Sequence, residues 1–170
     1  MTVLKYILKG LGILILAFIA FSFWYTNTYS MEDIASYEIN DPSLEKSVLI
    51  ATQGSLYKDE LVESVIDSLK SSDVYIQVID ISGLEEYYND RWDAIVLIHT
   101  WEYSQPPKSI DSFIPQHFDP EKMLVITTSG SGEEKMEGVD ALTGASKKGE
   151  IKNHKSAILQ FLENELNIDS

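Results

Sequence analysis

Cysteine is absent from the 170 residues, which excludes disulfides, thiolate metal ligands, cysteine nucleophiles and a lipid-modified cysteine anchor. Positive charge is scarce. Lys5 and Lys9 are the only charged residues among the first 30, and the remainder holds the other 11 basic side chains and all 27 acidic ones, a formal charge of −16. A surface of that sign repels nucleic acid and anionic lipid headgroups. It suits a basic redox or envelope protein as partner, or simply keeps a domain soluble. His99, His117 and His154 are too scattered for a helical ligand pair, and no local carboxylate array supplies a metal site. Neither Ser129 nor Ser131 lies in G-x-S-x-G, and there is no Walker-type loop and no G-x-G-x-x-G after a strand.

What the chain does have is one long apolar run. No charge occurs from Gly10 to Ser30, enough residues to cross a hydrocarbon core of roughly 30 Å. Phe21, Phe23, Trp24, Tyr25 and Tyr29 crowd its C-terminal end like an aromatic belt at a membrane boundary. A cleaved secretory signal competes, with Ala20-Phe21-Ser22 as its small-x-small site, but the bulky residues that follow favour an uncleaved anchor. Lys5, Lys9 and the amino terminus precede the span and no cation follows until Lys46. Cation bias therefore places the N-terminus in the cytoplasm and the rest outside the plasma (inner) membrane. The expected organisation is a cytoplasmic tip and span over 1–30, a stalk over 31–46 and one domain over 47–170.

Within that domain, 47–52, 74–81, 93–99 and 122–128 are short apolar runs rich in β-branched residues, which predict buried strands. Between them, 57–71 repeats apolar residues at helical spacing, 84–90 is a short helical piece, and Pro107 opens a helix reaching 114. Residues 138–142 are a candidate fifth strand, and 150–166 closes the chain as an amphipathic helix. Strands that read as continuous apolar runs and alternate with helices argue a parallel sheet covered on both faces. The expectation is an α/β fold with a doubly wound five-stranded parallel sheet in order 2-1-3-4-5, preceded by the transmembrane helix. Such a sheet places its ligand crevice at the carboxyl ends of strands 1 and 3, so the loops 52–57, 99–105 and 128–133 should converge there.

Those loops resemble the flavin-binding loops of flavodoxins. Thr100-Trp101, with Tyr103 after it, looks like the segment whose aromatic ring stacks on the isoalloxazine, a contact of about 1 kcal/mol. Thr52, Gly54 and Ser55 correspond to the loop that cradles the flavin phosphate at a helix N-terminus, and Ser129 and Gly130 to the third, Gly/Ser-rich loop. The resemblance implies FMN and electron transfer. Leu56 and Tyr57 stand where small polar residues are expected, and Asp59 and Glu60 add negative charge beside the phosphate position. Free FMN is therefore expected to bind weakly or not at all.

The string from Asp140 to Ser146 (DALTGAS) resembles the D-x-x-S/T-G-A-T/S motif of covalently flavinylated proteins, such as the FMN subunits of sodium-pumping NADH:quinone reductases. That resemblance implies a phosphoester between FMN and the Ser146 hydroxyl, made outside the cytoplasm. Thr143 or Ser146 as N-cap of the last helix, with Gly144 making the turn, is the structural alternative. Two functions follow for comparison: a membrane-anchored, FMN-linked electron carrier, or a non-enzymatic envelope interaction module with a degenerate flavin crevice. Asp80 at the end of the second strand either touches a ligand or ends the strand.

Overall fold

The computed structural model describes residues 2–29, 31–139 and 142–168. The chain forms two compact units, Met1–Met31 and Glu32–Ser170. The first is a single helix, α1 (Thr2–Tyr29), about 42 Å long at 1.5 Å per residue. Leu4–Trp24 within it has a mean hydropathy of 2.2 and is long and apolar enough to cross a membrane. Leu4, Ile13, Phe18 and Phe23 are exposed within this unit.

The second unit runs β1 (Tyr37–Ile39), β2 (Lys46–Thr52), α2 (Leu56–Leu69), β3 (Val74–Asp80), a 3-10 turn with α3 (Leu84–Tyr87), β4 (Ala94–Thr100), α4 (Lys108–His117), β5 (Met123–Ser129), β6 (Leu142–Ala145) and α5 (Lys148–Leu166). The sheet order is β1-β3-β2-β4-β5-β6. β2 to β6 are mutually parallel and repeat the expected 2-1-3-4-5 order, while β1 adds an antiparallel edge on β3. The central strands bury every residue or nearly so, because both faces are covered. Val48, Ile50, Val96 and Ile98 face Leu61, Val65, Ile158 and Leu162 of α2 and α5. The alternate residues Leu49, Ala51, Ile95 and Leu97 face Leu84, Ile110 and Phe113 of α3 and α4. Trp92 seals the amino end of the second core: it stacks on Tyr75 at 6.0 Å and donates its indole N–H to the Tyr87 carbonyl at 2.8 Å.

Three expectations are corrected. Residues 31–46 are no free stalk, because β1 pairs along β3, Glu32 bridges Gly54, and Ile34 and Ile39 pack on the α2/α5 core. Counting β1, the sheet has six strands among the described residues. The strand anticipated over 138–142 is formed by Leu142–Ala145, since Gly138 turns with φ 75° and 142–145 holds register with Ile126 to Ser129. Asp80 ends its strand: its carboxylate accepts from the N–H groups of Ser82 at 2.9 Å and Ile34 at 3.2 Å.

Asn40 closes β1 in the left-handed region, φ 66°, and its amide donates to the carbonyls of Ser72 at 3.2 Å and Val74 at 2.8 Å. Asparagine tolerates that conformation better than other residues with a side chain. Asn40→Ala should cost about 1–2 kcal/mol in urea denaturation of 32–170. Asn40→Gly should regain the backbone share only. Equal stability of all three proteins would show that β1 needs no clamp.

Candidate functional site

All five parallel strands end at one edge, and the three loops do meet there. The Thr100 N–H donates to Gln53 Oε1 at 2.9 Å, tying the second loop to the first. Thr100 Oγ1 and Thr128 Oγ1 lie 2.8 Å apart, and the Trp101 N–H donates to the Thr128 carbonyl at 2.8 Å, tying the second to the third. The third loop abuts β6: a Cβ on Gly132, at φ +79°, would stand 2.9 Å from the Ala145 nitrogen.

The first loop is closed to a free phosphate. Gly54 donates its N–H to the Glu32 carbonyl at 2.7 Å and accepts the Glu32 N–H at 3.1 Å. A Cβ here would lie 2.8 Å from that carbonyl oxygen, so glycine is required by the backbone of 31–34 rather than by a ligand. Ser55 caps α2, its hydroxyl accepting from the Lys58 N–H at 3.3 Å. Thr52 is buried and turns its hydroxyl to the Gln53 carbonyl at 3.3 Å. The third loop is committed likewise. Ser129 and Ser131 both donate to the Glu134 carboxylate, which those bonds hold below its ordinary pKa. Ser129 Oγ also accepts from the Gly132 N–H at 2.8 Å, while a Cβ on Gly130 would meet nothing within 4 Å. The residues present therefore do not fit the phosphate of non-covalent FMN.

The two aromatic residues separate. Trp101 follows β4 on the α4 side and lines a cleft of about 730 Å³ with Pro106, Asp111, Phe118, Lys135 and Met136; its indole nitrogen is buried without a partner among the described residues. Tyr103 is 85% exposed. It sits with Ser104 at the tip of a tight turn closed by Glu102 and Gln105, both central residues being left-handed (φ 53° and 59°).

Ser146 is exposed one residue past β6. It is not the cap of α5: the N-cap is Lys147, with no side-chain bond, so neither Thr143 nor Ser146 plays the structural role anticipated for it. Asp140 and Ala141 of the motif lie outside the described residues. Gly144 has a packing reason, since a Cβ would meet the His154 ring at 2.8 Å. His154 in turn holds the Tyr57 hydroxyl at 2.5 Å through Nδ1 and bonds the Thr143 backbone. Burial lowers the imidazole pKa against the pull of Glu150, and burial raises the Tyr57 phenol to about 12. This pair and the Lys148–Glu60 contact at 3.7 Å bring the start of α5 beside the start of α2.

Sequence reasoning missed Lys58. Its side chain is fully buried. Burial depresses the ammonium to about 8, with Glu102 and then Asp59 opposing. His99 is buried across the strand end; burial and then the Lys58 charge push it down to about 3, so it is neutral. His99 Nε2 lies 3.1 Å from Thr127 Oγ1, and Nδ1 has no partner among the described residues.

No protein-family model and no curated protein sequence matches the chain. Solved structures do. The flavodiiron core of Flv1 from Synechocystis sp. PCC6803 is similar over 75% of this chain and 38% of its own, at 13% identity and TM-score 0.53. The chain thus spans well under half of that protein. The response regulator domain of Thermotoga maritima CheB (15% identity, 74% and 98% covered, TM-score 0.44) and the flavoenzyme FerB from Paracoccus denitrificans (15%, 72% and 98%, TM-score 0.39) are more distant. The chain has the flavodoxin-like α/β fold behind an apolar N-terminal helix.

The buried lysine makes a pH prediction. Its folded pKa lies below the ordinary lysine value of 10.5, so between about pH 8 and 10 the unfolded chain binds more protons and stability rises with pH. The full shift is on the order of 3 kcal/mol. Lys58→Met should flatten that rise in denaturation curves taken across the window. An unchanged slope would show that Lys58 does not carry it.

Proposed function

We propose that this protein is a membrane-anchored flavodoxin-like electron carrier working outside the cytoplasm, with FMN tethered through its phosphate to Ser146. The observation that carries this reading is the Ser146 hydroxyl itself. It is exposed at the carboxyl edge of the sheet, is not spent on capping α5, and follows a strand whose end packs beside the start of α2. An ester there, formed when the Ser146 hydroxyl loses its proton and attacks the phosphate anhydride of a flavin dinucleotide with departure of a nucleoside monophosphate, removes the need for the phosphate cradle that Glu32 and Gly54 close. FMN, when bound, supplies one- and two-electron chemistry; the chain's own part is to hold it at this edge, where the middle loop carries the exposed Tyr103 ring and the Trp101 cleft.

A second reading has its own support. With Gly54 bridged to Glu32 and both loop serines bonded to Glu134, the first and third loops are self-satisfied and fit an interaction module without flavin.

One experiment separates them. Co-expression with a flavin transferase should give a fluorescent band that survives denaturing electrophoresis and an added FMN mass. Ser146→Ala should abolish both, and Thr143→Ala should keep them. Free FMN titrated into the unmodified protein should show no sub-micromolar quenching. A wild-type protein without band or mass leaves the interaction module as the function.

A further inference from the structure

Away from the crevice, β1 and α2 border a groove of about 480 Å³. Its floor is apolar: Ile34, Ile39 and Ile66 are half-buried there, beside the buried Val62. Its rim is acidic. Asp59, Glu63 and Asp67 are spaced four residues apart on α2, so all three exposed carboxylates follow one side of the helix. Tyr37 of β1 faces them across the groove, 41% exposed. After burial, the charges of Glu63 and then Asp59 are what raise its phenol pKa, so the negative potential is focused into the groove. Asp67 has an exposed ion pair with Lys70 at 2.9 Å, worth little in water.

We propose that this groove docks a basic amphipathic helix of a partner protein. Apolar side chains of the helix enter over Ile34, Ile39, Val62 and Ile66, and its lysines or arginines, also four apart, pair with the three acids. Complementary charge is what selects this occupant. A helix with acidic flanks meets like-charge repulsion from all three rim carboxylates, and nucleic acid is repelled by the same field. Apolar burial supplies affinity, and the charge ladder supplies register and on-rate. The inference is independent of flavin attachment.

The probe is a fluorescent helical peptide with leucines on one face flanked by lysines. Fluorescence anisotropy is measured against the full chain in a neutral detergent, with a scrambled peptide and a lysine-to-glutamate peptide alongside. The first peptide should bind, weaken with added salt, and lose tenfold or more in affinity against D59N/E63Q/D67N. It should lose a comparable amount against Ile66→Ser. Neutralising three acids elsewhere, E86Q/D90N/E121Q, should change affinity less than twofold. Glu63→Lys should admit the glutamate peptide, a gain that a misfolded variant could not show. No binding, equal binding of the scrambled peptide, equal losses from both triple variants, or indifference to Ile66→Ser would each overturn the proposal.

Discussion

A parallel sheet cannot leave a face in water, because its strands carry no polar side to show it. Val48, Ile50, Val96 and Ile98 need one helical layer, and Leu49, Ala51, Ile95 and Leu97 need another. Each helix must therefore cross back over the sheet before the next strand begins. The consequence is geometric: every parallel strand ends at the same edge, and every loop with chemistry to offer is delivered there. Gln53, Thr100, Thr128 and Ala145 come from four separate segments, and the layered core alone brings them together.

At that edge the fold's inherited layout and the local sequence diverge. The backbone of Glu32 occupies the glycine of the first loop, and Glu134 takes the hydroxyls of the third. Both fillings come from within the chain and leave those polar groups satisfied. A buried lysine and a neutral, half-partnered histidine lie beneath the edge instead of a preformed anion cradle. Flavin attachment under the proposed reading moves from the first loop to Ser146, and the aromatic groups stay near the middle loop.

Much of this was legible in the sequence. Strands β2, β4 and β5 announce themselves as apolar runs because they are central, and α2 and α5 because each has one wet side. β1 was illegible: Tyr37-Glu38-Ile39 is three residues on an edge, too short for any period to show. Lys58 was illegible for a different reason. A lysine next to Asp59 and Glu60 at the start of an amphipathic helix reads as solvated, and only the tertiary fold makes it internal, near enough to Glu102 and His99 for charge to be felt between them. The bridge from Glu32 to Gly54 has no local signature at all. The side on which Trp101 lies does follow from alternation: Ile95 and Leu97 face α4, and His99 and Trp101 continue that parity.

β6 is four residues long, forms the outer edge of the described sheet, and pairs on one side only. Short, half-paired strands open far more often than the core that supports them. Opening of β6 would free the chain that leads to Ser146, whose hydroxyl is exposed already, without loss of the whole fold. His154 enters the same balance, because its ring packs against Gly144 and bonds the Thr143 backbone when the strand is down. The imidazole thereby ties the edge strand to α5.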